Sequence, residues 1–182
     1  MIIVAGGDSF IWGSELADSP HGGPAGWSNN TFTALLSRNY RYHCAAYPGY
    51  SNKDITKSVI LCCEGFNPGA VIVCWTWPTR DNEVDSDTHI KKLQDYLEER
   101  NILYLFTCAD NCIITGELDY SNWFMFPPAT EDWNTMEPRG FYQWAVENKY
   151  LCGPENHPLE QAHRDAADLM REKFNEMVKK PV

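Results

Sequence analysis

Met1-Ile2-Ile3-Val4-Ala5-Gly6-Gly7-Asp8-Ser9-Phe10-Ile11-Trp12-Gly13-Ser14-Glu15 opens the chain, and the reading of this stretch decides the fold. An apolar, β-branched run begins at the second residue and stops at a Gly pair, which Asp-Ser follows. That is the pattern of a buried parallel strand ending in a tight turn. In open α/β sheets ligands bind beyond the carboxyl ends of the strands, so Ser9 stands where chemistry is expected, near backbone N–H groups that can meet an anion. Asp8 and Ser9 are also residue types that cap a following helix, and this stretch alone does not choose between the two readings. The other end of the chain does. There Glu155-Asn156-His157-Pro158 opens a helical segment. A Ser after the first strand and a His before the last helix can converge over one sheet edge.

Working outward, residues 14–26 carry Pro20, Gly22, Gly23, Pro24 and Gly26 and read as loop. Asn29 or Asn30 can cap a helix to about Arg38. Tyr42 to Tyr47 reads as a second strand, ending in Pro48-Gly49-Tyr50-Ser51-Asn52. Ser51 or Asn52 caps a helix to about Cys63, with Ile55 and Val59 at helical spacing. Ala70 to Trp75 is apolar throughout and reads as a central strand. A helix over residues 85–100 and a strand over residues 102–108 follow. The order β-loop-α-β-α-β-α-β predicts a parallel sheet with right-handed crossovers. From Ala109 to Gly153 the alternation breaks into a long, aromatic-rich stretch of the kind that is often functional. Residues 123–126 are a candidate fifth strand, residues 140–147 a candidate helix, and a final helix is expected over residues 158–178.

A length of 182 residues suits one domain spanning residues 1–182. The formal net charge of −10, with no Lys/Arg run longer than two, excludes binding to nucleic acid through phosphate contacts. No secretory leader is visible, and no apolar stretch approaches the ~20 residues that span a bilayer, so a membrane partner is not expected. Seven Cys, an odd number, several of them in predicted buried strands, suggest a reduced, cytoplasmic chain without a disulfide framework. Cys108 and Cys112 have a loose metal-ligand spacing, but no second pair completes a zinc set, and neither a metal nor a cofactor is expected.

These edges resemble the SGNH hydrolases, or GDSL esterase/lipase family. The family's first block, Gly-Asp-Ser-x-x-x-Gly, stands complete as Gly7-Asp8-Ser9-Phe10-Ile11-Trp12-Gly13. Its second-block glycine is matched by Gly49, and its final His, commonly followed by Pro, by His157-Pro158. The resemblance implies a three-layer α/β/α, flavodoxin-like fold with a parallel sheet of four to five strands. Two departures stand out. Where the family has Gly-x-Asn-Asp, this chain has Thr76-Trp77-Pro78-Thr79, so the usual Asn donor to the oxyanion is replaced by a residue with no donor; Arg80 or Asn82 is a candidate stand-in. Where the family has Asp three residues before the His, this chain has Pro154, and Glu155 is the nearest carboxylate. The His-Pro-x-x-x-x-His tail and the Trp-Thr-x-x-x-Arg third block are similar to short bacteriophage-encoded forms. That resemblance would place the protein in an infected host's cytoplasm or on a virion.

The residue types suit acyl transfer. A Ser hydroxyl is a weak nucleophile that needs an adjacent base, and neutral His is that base near neutral pH. A carboxylate or carbonyl on the other ring nitrogen fixes the tautomer. The resemblance therefore implies Ser9 as nucleophile, His157 as base and Glu155 (or a backbone carbonyl) as its partner, with Ser9 and Gly49 N–H groups as oxyanion donors. Arg80 is a candidate anion holder. Trp77 and Trp123 are candidate platforms for a sugar ring, although aromatic side chains are more often core. Asp8 is expected to be structural, and His163 structural or on the surface. The expected substrate is a small ester, such as an acetylated glycan. The competing reading is a glycan- or protein-binding module on the same scaffold that has lost catalysis.

Overall fold

The computed structural model describes residues 1–19, 26–81, 86–115, 118–129 and 137–179. Four strands, β1 (Ile2–Gly6), β2 (Arg41–Cys44), β3 (Ala70–Trp75) and β4 (Leu103–Cys108), form one parallel sheet in the order β2-β1-β3-β4. The helices α1 (Ser9–Trp12) and α2 (Phe32–Leu36) precede β2, α3 (Asn52–Phe66) joins β2 to β3, and α4 (Ser86–Glu99) joins β3 to β4. Last come α5 (Phe141–Glu147) and α6 (Glu160–Lys179). The chain order doubles back at β1, so β1 and its neighbours form the switch point where α/β sheets place ligands.

The strands read as continuous apolar runs because both sheet faces are covered. Ile3, Ala5, Ile72, Cys74 and Leu105 face one layer with Phe32, Phe141, Met170 and Phe174. Val4, Val71, Val73, Trp75 and Phe106 face the other, with Ile55 and Val59 of α3 and Ile90, Leu93 and Leu97 of α4. The helix α3 starts where the sequence says it should. Ser51 Oγ accepts from Asp54 N–H, and the Asp54 carboxylate accepts from Ser51 N–H, each at 3.3 Å. Asn67, in the left-handed region at φ 46°, ends it.

Two sequence expectations change in detail. The second strand leaves the ladder at Cys44 rather than Tyr47, because β1 ends at the Gly pair. Even so, Ala45 N–H donates to Ala5 O (2.7 Å) and Tyr47 N–H to Gly7 O (3.4 Å), which keeps the two strand ends together. The candidate fifth strand is a single parallel bridge from Trp123 to Phe106, flanked by Phe106 N–H to Asn122 O (2.9 Å) and Phe124 N–H to Phe106 O (2.7 Å). It partly covers the outer edge of β4. Among the described residues, no helix is long and apolar enough to cross a membrane.

Candidate active site

Ser9 is the first residue of α1, a one-turn helix fixed by its neighbours. Asp8 Oδ1 accepts from Phe10 N–H at 3.0 Å, and Asp8 O accepts from Ile11 and Trp12 N–H. Ser9 O accepts from Gly13 and Ser14 N–H at 2.9 and 3.0 Å. The residue is buried to 7% exposure. Among the described residues, its amide N–H has no hydrogen-bond acceptor, and neither has that of Gly49. Gly49 follows Pro48 in a turn closed by Tyr50 N–H to Tyr47 O (3.2 Å), and its φ of 84° is what the third position of a type II turn requires.

His157 sits in a second tight turn, in which Gly153 N–H donates to His157 O and Asn156 N–H to Gly153 O, both at 2.9 Å. The carboxylate at its ring is not that of Glu155. Glu15 Oε2 lies 2.7 Å from His157 Nδ1 and also accepts from His157 N–H at 3.2 Å. Glu155 is exposed, and it meets the pair only through its backbone N–H, which donates to the Glu15 carboxylate at 3.0 and 3.1 Å. The Glu15 side chain is 2% exposed. Burial disfavours its charge, yet the Glu155 N–H, the imidazole and the His157 N–H together outweigh that and hold its carboxyl below the ordinary value. With Glu15 on Nδ1, the hydrogen-bond pattern assigns the proton to that nitrogen and leaves Nε2 as acceptor.

Glu15 adopts φ 67° and Asn156 φ 63°, both in the left-handed region that non-glycine residues seldom occupy. Strain of this kind collects at functional sites. A Cβ on Gly153 would come within 2.5 Å of the Glu15 carboxyl carbon, so a side chain there would require this carboxylate to shift.

The His157 ring packs edge-on against Phe10, 5.5 Å between centroids, and Phe10 is the residue after Ser9. The turn that carries Ser9 thus packs on the imidazole through Phe10. The Ser9 hydroxyl makes no hydrogen bond within 3.5 Å to a described residue.

The third strand end closes the site. Asp8 is 1% exposed; its Oδ2 accepts from Thr76 Oγ1 (2.7 Å) and from Arg80 Nη1 (3.0 Å), while the same Arg80 nitrogen donates to Tyr50 O (3.4 Å). The anion that Arg80 holds is therefore internal. Asn52, fully buried at the start of α3, braces this turn by accepting from Thr76 N–H and donating to Thr76 O. Pro78 opens the 3₁₀ turn Pro78–Arg80 and has no N–H to offer, and Asn82 lies outside the described residues. Trp77 is at the rim, 5.8 Å from Phe10 and 5.6 Å from Tyr142, under the Arg80 guanidinium. Trp123 is not at the rim. It is 3% exposed and packs on Phe106 and Tyr120 in the α3/α4 layer. His163 is structural: it is 1% exposed, and its Nδ1 accepts from Phe32 N–H at 3.2 Å.

The sequence reading gives no site role to Glu15, Asn52 or Tyr142. One signal pointed to Glu15: a carboxylate two residues past the first block, in a chain whose tail has Pro154 in place of the expected Asp.

No family model matches this sequence, and no curated protein matches it. Solved structures do. Esterase EstA from Pseudoalteromonas sp., in a form inhibited by monoethylphosphonate, aligns with a TM-score of 0.57 at 13% identity over 98% of this chain and 97% of its own. A G-D-S-L family protein from Desulfitobacterium hafniense DCB-2 aligns with a TM-score of 0.54 at 16% identity over 94% and 98%. A two-domain esterase active on acetylated mannans aligns with a TM-score of 0.65 at 11% identity over all of this chain and 50% of its own. The chain has the α/β fold of the GDSL, or SGNH, esterases.

Proposed function

We propose that this chain, built on the SGNH esterase fold, is a serine hydrolase acting on a small ester through Ser9, His157 and Glu15. The observation that carries this reading is the Glu15–His157 pair at 2.7 Å, held against the residue next to Ser9. His157 Nε2 takes the Ser9 hydroxyl proton as Oγ attacks the ester carbonyl carbon. The negative charge on the carbonyl oxygen meets the unclaimed N–H groups of Ser9 and Gly49, each worth on the order of 3 kcal/mol in the transition state. The imidazolium, balanced by Glu15, returns its proton to the leaving alcohol. Water, deprotonated by His157, then releases the acid from Ser9.

For the alcohol half we propose a carbohydrate carrying an O-acetyl group. Trp77 stands at the rim. Tyr47, 52% exposed, packs edge-on against Trp12 and at a tilt against Tyr50 beside Gly49, so the Gly49 turn carries aromatic surface on which a sugar ring can lie. The esterase active on acetylated mannans shares the fold and makes this class the first to assay.

The purified protein is expected to hydrolyse 4-nitrophenyl acetate and to release acetate from an acetylated glycan, and Ser9→Ala is expected to abolish both. Equal turnover by that variant would overturn the mechanism. A fluorophosphonate separates the enzyme from a non-catalytic binding module, which the donorless Pro78 favours: covalent labelling of Ser9 supports the enzyme, and glycan binding without labelling supports the module.

A further inference from the structure

We infer that Arg80 is a positioning residue of this reaction: its guanidinium neutralises the carboxylate beside the nucleophile and ties the Gly49 turn to the Ser9 turn. The inference rests on the esterase reading above. Three observations support it.

Asp8 immediately precedes Ser9 and is 1% exposed. A buried carboxylate there opposes the second negative charge that grows on the substrate carbonyl oxygen, because little water screens it. Among the described residues, the cation ion-paired with Asp8 is Arg80, at 3.0 Å. With that partner, and with Thr76 Oγ1 donating to the same oxygen, the carboxylate keeps its structural work at Phe10 N–H without setting its charge against the oxyanion.

The second observation is geometric. One nitrogen, Arg80 Nη1, donates both to Asp8 in the turn after β1 and to Tyr50 O in the turn after β2, while Arg80 itself follows β3. The two candidate oxyanion donors belong to the first two turns, one residue from each of these contacts. A planar guanidinium fixes the directions of its hydrogens, which an ammonium does not. The third observation is support. The Arg80 guanidinium stacks 5.6 Å over Trp77, and Asn52 pins Thr76 from below, so the clamp has a fixed base.

The test is steady-state kinetics and fluorophosphonate labelling of wild type, Arg80→Met, Arg80→Lys, Asp8→Asn and the Asp8→Asn/Arg80→Met double variant. Arg80→Met is expected to lower kcat on the order of 10- to 100-fold with KM within about threefold, and to slow labelling in parallel. Arg80→Lys is expected to fall between it and wild type. The double variant is expected to recover at least about threefold over Arg80→Met, since the uncompensated charge is gone, a rescue that lost packing cannot produce. The inference is overturned by a folded Arg80→Met with wild-type kcat, or by a double variant no faster than Arg80→Met. If Arg80→Met does not fold, Arg80→Lys carries the comparison: a folded Arg80→Lys with kcat below wild type and KM within about threefold supports the clamp, and wild-type kcat overturns it. A wild-type protein that neither hydrolyses esters nor labels sinks the esterase reading itself, and this inference with it, whereas an active wild type with an indifferent Arg80 sinks only the clamp.

Discussion

A carboxylate out of contact with water holds its charge only if donors surround it. Glu15 has three: the Glu155 and His157 amides and the His157 ring. In the mechanism we propose, its charge balances the imidazolium of the transition state, so Glu15→Gln, which keeps an acceptor but loses the charge, is expected to cut kcat by roughly 10²- to 10⁴-fold with a smaller change in KM. Steady-state kinetics on the acetyl ester check this, and a Glu155→Gln variant with near-wild-type kcat completes the assignment. The sequence placed a carboxylate near His157 by proximity along the chain and arrived at Glu155. The structure brings in a residue 142 positions away, and Glu155 contributes only its amide.

At the scale of elements, the turn from Gly153 to His157 is made for its passenger. Two backbone hydrogen bonds close it, Asn156 takes a left-handed conformation, and Gly153 leaves the space that the Glu15 carboxylate fills. Gly153→Ala puts a methyl group within 2.5–2.7 Å of that carboxylate's atoms. It is therefore expected to displace Glu15 and to lower kcat by about tenfold or more, at a stability cost on the order of 1–3 kcal/mol. Kinetics alongside thermal melting measure the two effects together; unchanged kcat would show that the carboxylate tolerates the shift. The strands were legible at this scale because burial on both faces leaves a continuous apolar run, and β3 matches its expected bounds of Ala70 and Trp75. Between Ala109 and Gly153 the candidate helix at residues 140–147 was legible too, and α5 spans Phe141–Glu147. The candidate strand at residues 123–126 was not, because what holds it lies outside the segment: Phe106 of β4 takes Trp123 in a single bridge and accepts from Phe124 N–H.

For the whole molecule, the buried imidazole of His163 links folding to pH. Burial, opposed in part by the hydrogen bond with Pro158, pushes it down to about 3 from an ordinary 6.5. A group whose folded value lies below its unfolded value binds its proton mainly in the unfolded chain, so this contribution is intact above pH 6.5 and is lost as pH falls toward 3. The slope approaches about 1.4 kcal/mol per pH unit in that window. Glu15, also lowered, adds a loss of the same sign below its ordinary 4.5. Denaturant melts from pH 8 to 4 are expected to show the decline, and His163→Asn, whose amide oxygen can still accept from Phe32 N–H, is expected to flatten it. By itself the sequence determined the parallel sheet, the delivery of Ser9 to its carboxyl edge and the arrival of His157 before the last helix. Those features follow from local periodicity, turn chemistry and strand order. Only the tertiary structure decided which carboxylate meets the imidazole and which charge Arg80 answers. Those contacts join residues 142 and 72 positions apart, and once strands and turns have been packed, proximity in space no longer follows proximity along the chain.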